Sequence, residues 1–259
     1  MAGCSLSLLR VDDARLARVL AVTEAGAWQA PSIPPAAVQM IKATDIDTVA
    51  EESGPAWPQA ADRTRFAAAI RAVIAELLAA EAELTELDSA VGDGDLGISL
   101  ARGADAVTAG FDSLDLDHPA AALRQVSHLL RRSLGGTSGP LYAVFVLRAG
   151  NALRAAADPA DRATWALAFQ AGCDGIMQLG GAGAGDRTML DALLPAAAAL
   201  TDSLPAAVAA AEAGADATRT MAPMRGRSSY LGDRTAGHPD PGAVAVAKWL
   251  AAIERALRE

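Results

Sequence analysis

From residue 62 to the end of the chain, apolar side chains recur at the spacing of an α-helix, in long segments rich in Ala, Leu and Val. Short breaks that contain Gly, Pro or Asp separate these segments, and none of the segments alternates as a strand would. Because the connections are short, successive helices should run antiparallel, which predicts an all-α bundle of about eight antiparallel up-and-down helices. The predicted helices cover residues 63–84, 97–112, 119–134, 140–157, 162–179, 188–201, 205–220 and 241–258.

The first 61 residues follow a different pattern. Residues 3–11 alternate loosely, which predicts a strand, and Asp12 and Asp13 precede a short helix predicted over residues 14–22. Residues 26–58 contain several prolines and are typical of a semi-stiff linker rather than a packed element. We therefore predict a strand-helix segment over residues 1–25, a Pro-containing linker over 26–61 and a helical domain over 62–259.

Composition limits the classes of function. Of the 259 residues, 52% are hydrophobic and 20% are charged, so the chain can bury a substantial core. The net charge of −9 argues against a nucleic-acid partner, because binding to a phosphate backbone requires clustered Lys and Arg. Cys4 and Cys173 lie too far apart to suggest a zinc site or a disulfide framework, which fits a reducing cytoplasm. Prolines and charged residues interrupt the most apolar stretch, 192–215, so no membrane span is expected, and nothing at the start is typical of a signal peptide.

The first unusual break, over residues 87–97, carries three carboxylates, Asp88, Asp93 and Asp95. The glycines between them allow the chain to turn tightly, so that the carboxylate oxygens can converge on a hard cation. The segment lacks the length and the bidentate Glu of an EF-hand, which disfavours calcium. Mg²⁺ takes few carboxylates and completes its shell with water and phosphate, so this break suits Mg²⁺ and a nucleotide. The alternative is a solvated acidic turn.

The second break is Gly135-Gly136-Thr137-Ser138-Gly139-Pro140, which leads into an apolar helix. Pro suits the first turn of a helix, and the small residues before it leave N–H and hydroxyl groups free to face an anion. A phosphate would fit there, although the segment is not a Walker loop because no Gly-Lys-Ser/Thr follows. An ordinary interhelical turn that is capped by Ser138 is the alternative.

The third feature combines the Gly-rich segment 180–189, the segment 225–234 and the run Asp240-Pro241-Gly242. A Gly-rich loop allows backbone to approach a flat ligand, and Arg227 offers a planar fork for phosphate oxygens. Met189 is suited to cover an adenine face, although a Met at a helix start is more often part of the core. Asp186 is interpreted as an N-cap.

Taken together, these motifs resemble the nucleotide-binding L-type domain of dihydroxyacetone kinases. The resemblance covers roughly residues 63–259 and rests on four motifs in order: the Asp triplet with Val-Gly-Asp-Gly-Asp, then Gly-Gly-Thr-Ser-Gly-Pro-Leu, then Gly-Asp-Arg-Thr-Met-Leu-Asp-Ala-Leu, then Arg-Ser-Ser-Tyr-Leu followed by Asp-Pro-Gly. It implies an all-α barrel of eight helices with ATP or ADP and two Mg²⁺ at one end.

The resemblance also implies roles for individual residues. Asp88, Asp93 and Asp95 would be the metal ligands, and Asp93 and Asp95 are the strongest candidates for catalytic residues. Many family members carry His or Thr in place of Leu96, a change that preserves a main-chain contact but not a side-chain contact. The residues expected to line the nucleotide are Leu96, Gly97, Ile98, Ser99, Thr137, Ser138, Gly180, Met189, Arg227, Asp240, Pro241 and Gly242.

The N-terminal segment resembles the last strand and tail of the substrate-binding K-type domain of the same family. The chain therefore looks like the C-terminal part of a two-domain kinase, whose partner would be a K-type domain in the same or another chain. In the family that domain holds the ketone on a histidine, a role that we assign to none of His118, His128 and His238. The predicted strand also leaves a homodimer possible.

The implied reaction is ATP- and Mg²⁺-dependent phosphoryl transfer to a short ketose such as dihydroxyacetone. Four alternatives stay open at this point. The chain could be an ADP-holding subunit of a phosphotransferase-linked kinase, a kinase for erythrulose, glyceraldehyde or a fatty acid, part of an FMN cyclase, or a bare helical bundle with an acidic turn.

Overall fold

The structure, a computed structural model, describes residues 13, 53–136, 138–230 and 235–258, and the side chain of Arg227 lies outside this description. The predicted strand 3–11, the predicted helix 14–22 and most of the predicted linker also lie outside the described residues. The described part is all-α, as predicted, and contains no strand. Its nine α-helices are α1 (Ala60–Ala79), α2 (Glu81–Val91), α3 (Leu96–Gly110), α4 (Pro119–Ser133), α5 (Ser138–Arg154), α6 (Arg162–Gly180), α7 (Leu190–Ala199), α8 (Leu204–Ala217) and α9 (Pro241–Arg258).

The helices close into a ring. Each of α3 to α8 packs against the next helix in sequence, and α1 packs against both α3 and α9, which joins the two ends. Helix α2 continues from α1 and packs on α3, so that α1 and α2 together occupy one position. The result is an eight-position up-and-down barrel. No helix of the described part is both long enough and apolar enough to cross a membrane.

Many of the residues at the helix contacts are alanines. Ala192, Ala211 and Ala243, on α7, α8 and α9, are all fully buried. Because alanine carries only a methyl group, the helix axes can approach closely at these contacts. Larger side chains, among them Leu84, Ile176 and Leu190, fill the rest of the main core.

The predicted helix over 63–84 is instead two helices, and the second continues to Val91. The division is at Ala80, which has φ −87° and ψ 0° and ends one helix while preceding the next. Neither Gly nor Pro marks this position, so the sequence carries no signal for it. One consequence is that Asp88 lies in the last turn of α2, rather than in the loop where the sequence placed it.

The described end of the predicted linker is packed on the barrel. The indole Nε1 of Trp57 donates a hydrogen bond to the carbonyl of Leu116 (3.0 Å), and the ring of Trp57 stacks on Trp165 with centroids 6.2 Å apart. Phe66 lies against both rings. The interpretation of the linker as unpacked is therefore wrong for this part of it.

Helix ends follow local chemistry. The carboxylate of Asp161 accepts a hydrogen bond from the N–H of Thr164 and caps α6, and the hydroxyl of Ser203 does the same for α8 by accepting from Ala206. In an up-and-down barrel these two caps lie at one end. The loops that carry the three sequence motifs lie at the opposite end, which we call the motif end; its described residues are 92–95, 134–136, 138, 181–189, 218–230 and 235–240.

Candidate nucleotide and metal site

The three aspartates of the first motif meet at the motif end. One carboxylate oxygen from each of Asp88, Asp93 and Asp95 can be chosen so that all three lie within 4.8 Å of one another. Asp88 is buried, whereas Asp93 is exposed. Three convergent carboxylates form a hard-oxygen donor set that suits Mg²⁺, since water and phosphate can complete its shell.

Asp88 also organises the local backbone. Its Oδ2 accepts hydrogen bonds from the main-chain N–H groups of Asp95 (2.9 Å) and Leu96 (3.1 Å). The side chain from the end of α2 therefore caps the start of α3, and the N–H of Leu96 is occupied by Asp88. Between them, Gly94 adopts a left-handed conformation with φ +75°, which glycine adopts without strain.

The start of α3 is pressed against α2. A Cβ at Gly97 would overlap the carbonyl oxygen of Glu81 and the hydroxyl of Thr85, so only glycine permits this approach. Of the other first-turn residues predicted to line the nucleotide, Leu96 belongs to the main core and Ile98 is 45% exposed. The side chain of Ser99 is buried.

The Gly135-Gly136 turn lies beside the acidic cluster. Gly136 has φ +66°, and a Cβ added there would lie 3.5 Å from Oδ2 of Asp95. A Cβ added at Gly135 would lie 3.9 Å from the hydroxyl of Ser99. Helix α5 begins at Ser138, whereas Thr137 lies outside the described residues. The first and second motifs are therefore neighbours in space.

The third motif adjoins the same end. Met189 is buried, and a Cβ added at Gly242 would lie 3.4 Å from the Cβ of Met189. On the other side, a Cβ added at Gly180 would lie 3.4 Å from Leu141 in the first turn of α5. Pro241 is the first residue of α9 and is buried. Arg227 begins a short 3₁₀ helix (Arg227–Tyr230), and the structure gives no position for its side chain.

Asp240 is the N-cap of α9. Its Oδ2 accepts a hydrogen bond from the N–H of Ala243 (2.8 Å), and its own N–H donates to the hydroxyl of Thr218 (2.7 Å). Burial raises the pKa of this carboxyl to about 7, an effect that the hydrogen bond and the charge of Arg187 oppose and that the charges of Asp191 and Asp88 reinforce. The influence of Asp88 shows that the third motif and the acidic cluster share one electrostatic environment.

Asp186 is not the N-cap that its position suggested. Its Oδ2 accepts a hydrogen bond from the N–H of Gly183 (2.9 Å) inside the Gly-rich loop. Helix α7 has no side-chain cap at its N-cap residue, Met189; instead the carboxylate of Asp191, in the first turn, accepts from the N–H groups of Thr188 (2.8 Å) and Gly185 (2.5 Å). Two carboxylates therefore hold the folded shape of this loop.

The histidines contribute little to the site. The Nδ1 of His118 lies 3.0 Å from Oδ1 of Asp115, at the end of the barrel opposite the motif end. The side chains of His128 and His238 are exposed. Arg187 was not among the predicted site residues, yet its side chain is fully buried and donates to three carbonyl oxygens around the third motif. The only available signal was its place between Asp186 and Met189.

Comparison with known proteins matches residues 90–255 to the DAK2 domain. The chain is 35% identical over 279 residues to a putative 3,4-dihydroxy-2-butanone kinase of Solanum lycopersicum, and the match covers all of this chain and 46% of that protein. The chain thus spans about half the length of this relative. It is also 34% identical over 195 residues to the ADP-binding subunit DhaL of the PEP-dependent dihydroxyacetone kinase of Escherichia coli, covering 71% of this chain and 92% of that subunit.

Among solved structures, the fold is similar to the dihydroxyacetone kinase from C. freundii in complex with AMP-PNP and Mg²⁺. The TM-score is 0.67 at 28% sequence identity, and the match covers 95% of this chain and 42% of that one.

Proposed function

The chain belongs to the DAK2 domain family, and we propose that it is the nucleotide-binding part of a kinase that transfers a phosphoryl group from ATP to a hydroxyl group of a short ketose such as dihydroxyacetone. One observation carries the proposal: Asp88, Asp93 and Asp95 converge within 4.8 Å, beside the Gly135-Gly136 turn. The neighbour that was solved with AMP-PNP and Mg²⁺ supports it.

In this proposal the three aspartates would hold two Mg²⁺ ions. The donor set fits, because it consists of three carboxylates whose oxygens converge, with the glycine turn beside them. When bound, Mg²⁺ supplies positive charge against the phosphate oxygens of the nucleotide. Asp88 also has a structural role that does not depend on the metal, since it fixes the start of α3 by accepting two main-chain hydrogen bonds.

Other parts of the chain would position the nucleotide. The glycine turn lies beside Asp95, and α5, which begins just after the turn, directs its positive end toward the same place. Met189 and the Asp240-Pro241-Gly242 run would border the base, and Arg227 would reach the phosphates. Phosphoryl transfer depends mainly on such positioning and charge, with little covalent chemistry for the protein to perform.

The acceptor would come from a K-type domain docked at the motif end. Exposed apolar side chains lie around that end: Ile98 is 45% exposed, Leu179 57%, Met224 62% and Tyr230 73%. Apolar residues exposed together are typical of a surface that another protein covers. We therefore expect little turnover of dihydroxyacetone by this chain alone and turnover when a K-type domain is added.

The test of this proposal is Mg²⁺-dependent nucleotide binding by Asp93→Asn and Asp95→Asn. Each substitution removes one negative ligand, so we expect isothermal titration calorimetry to show loss of Mg²⁺-dependent ADP binding. The matched control is Asp105→Asn, which changes an exposed aspartate in the middle of α3. Unchanged ADP affinity in both site variants would refute the proposed metal ligands.

A second candidate function follows from the similarity to the E. coli ADP-binding subunit, which this chain matches over 92% of that subunit's length. In that case the chain would retain ADP that a separate protein phosphorylates in place. Mass spectrometry of the purified protein distinguishes the two: stoichiometric ADP that survives dialysis favours the retaining subunit, whereas rapid exchange with free ATP favours the ATP-dependent kinase.

A further inference from the structure

Arg187 is the largest fully buried side chain of the described residues, with 1% of its surface exposed. A charged side chain is almost never buried to this extent unless other groups compensate its charge. Its backbone is also unusual, since φ is +60°, a left-handed conformation that is strained for residues other than glycine. Both features require that the surroundings hold Arg187 in place.

The guanidinium connects three separate segments. Its Nε donates a hydrogen bond to the carbonyl of Thr218 (3.1 Å), after the end of α8, and its Nη2 donates to the carbonyls of Thr235 and His238 (2.9 Å each), shortly before α9. Arg187 itself lies two residues before Met189. One side chain thus joins the Gly-rich loop to both ends of the segment that connects α8 and α9.

The same three segments border the third motif. Thr218, whose carbonyl accepts from Arg187, also accepts a hydrogen bond from the N–H of Asp240 through its hydroxyl. Burial lowers the pKa of Arg187, and the charge of Asp240 opposes this effect. The hydrogen bonds of Arg187, Thr218 and Asp240 therefore link the segment that carries Met189 to the segment that carries Gly242.

We propose that Arg187 is a positioning residue that holds Met189 against the Asp240-Pro241-Gly242 run and so sets the width of the nucleotide pocket. The inference rests on the proposed function, since it concerns the same pocket. Arginine suits this position because its planar group can donate to carbonyls in several directions, whereas a lysine ammonium is a single point.

The test uses Arg187→Lys in the full chain, with two separate binding measurements. We expect the Kd for ADP, measured by calorimetry with Mg²⁺, to rise at least tenfold. The affinity of the acidic cluster for Mn²⁺, measured by electron paramagnetic resonance without nucleotide, should stay within twofold, since Arg187 does not contact that cluster. The matched control is Arg148→Lys, because Arg148 is bonded to Gln178 on the surface, and it should leave both affinities unchanged.

Circular dichroism reports whether Arg187→Lys is folded. If it is not, Thr218→Val provides the second test, since it keeps the size of the side chain and removes the hydroxyl that bonds Asp240; we expect at least a fivefold rise in the Kd for ADP.

The inference is overturned if folded Arg187→Lys or Thr218→Val binds ADP within twofold of wild type, or if the ADP and Mn²⁺ affinities fall together in proportion to the unfolded fraction. If wild type binds Mn²⁺ but not ADP, the proposed function fails and the inference fails with it.

Discussion

Asp240 shows how a single buried carboxyl links the candidate site to the stability of the fold. Burial raises its pKa to about 7, whereas an unfolded chain exposes the same group with a pKa of about 3.9. Between these two values the folded state carries more bound proton on Asp240 than the unfolded state does. The contribution of Asp240 to the free energy of unfolding therefore decreases as the pH rises from about 4 to about 7, and is constant above that range.

Asp240→Asn should remove this pH dependence while an amide oxygen still accepts the hydrogen bond from Ala243. We expect the difference in free energy of unfolding, wild type minus variant, to fall steadily between about pH 4 and about pH 7 and then to level off. Urea denaturation at a series of pH values measures it. Parallel stability profiles for the two proteins would contradict the raised pKa.

Residue chemistry was predictable from the sequence where it depends on spacing along the chain. Asp88, Asp93 and Asp95 lie within eight positions and are separated by glycines, so their convergence follows from a tight turn. Arg187 was not predictable in the same way, because its partners are backbone carbonyls as far as 51 positions away. Every residue has a backbone carbonyl, so the sequence does not show which of them accept a hydrogen bond.

At the scale of elements, the sequence located the helix ends that are marked by polar caps or proline. The start of α9 at Pro241 and the start of α6 at Arg162 were both predicted correctly. The division at Ala80 was missed because it has no side-chain cap hydrogen bond and lies within a run of good helix formers. It arises from packing, since α1 contacts α9 while α2 must direct Asp88 toward the start of α3.

The segment before α1 was predicted to be an unpacked linker, but its described residues pack on the barrel. Trp57 is half-buried between Phe66 and Trp165, and Trp57→Ala would remove two aromatic contacts and one indole hydrogen bond. We expect the free energy of unfolding to fall by ~2 kcal/mol, as measured by chemical denaturation. Leu167→Ala is the control, because Leu167 is 72% exposed and its loss should cost less than ~0.5 kcal/mol. Equal effects of the two substitutions would show that the segment does not stabilise the barrel.

At the scale of the whole molecule, the sequence predicted eight up-and-down positions but not which helices close the ring. Closure requires α9 to lie beside α1 and α2, and the contacts include ion pairs of Arg255 on α9 with Glu76 on α1 (2.5 Å) and of Lys248 on α9 with Glu83 on α2 (2.7 Å). These residues are more than 160 positions apart in the chain. Short connections indicate only neighbours in sequence, so this contact could not be derived from local patterns.

The candidate site contains residues from helices that are far apart in the sequence, from α2 and α3 to α9. Ligand binding should therefore stabilise the whole barrel. At a free concentration of Mg²⁺-ADP about a hundredfold above its Kd, we expect the free energy of unfolding to rise by ~2.7 kcal/mol. Thermal denaturation with Mg²⁺-ADP, compared with ADP in the presence of EDTA, measures the effect. The same rise in Tm in both conditions would indicate binding that does not involve the acidic cluster.

The alanines between the helices have a consequence for the evolution of this chain. In most cores the damaging mutations truncate a large side chain and leave a cavity. Ala192, Ala211 and Ala243 are buried but carry only a methyl group, so truncation removes very little. Any single-base change that replaces an alanine gives glycine, which weakens a helix, or a side chain that is bulkier than a methyl group and must separate two helices. Natural variation at these contacts should therefore be narrow and confined to the smallest residues, while the larger core positions exchange one aliphatic side chain for another.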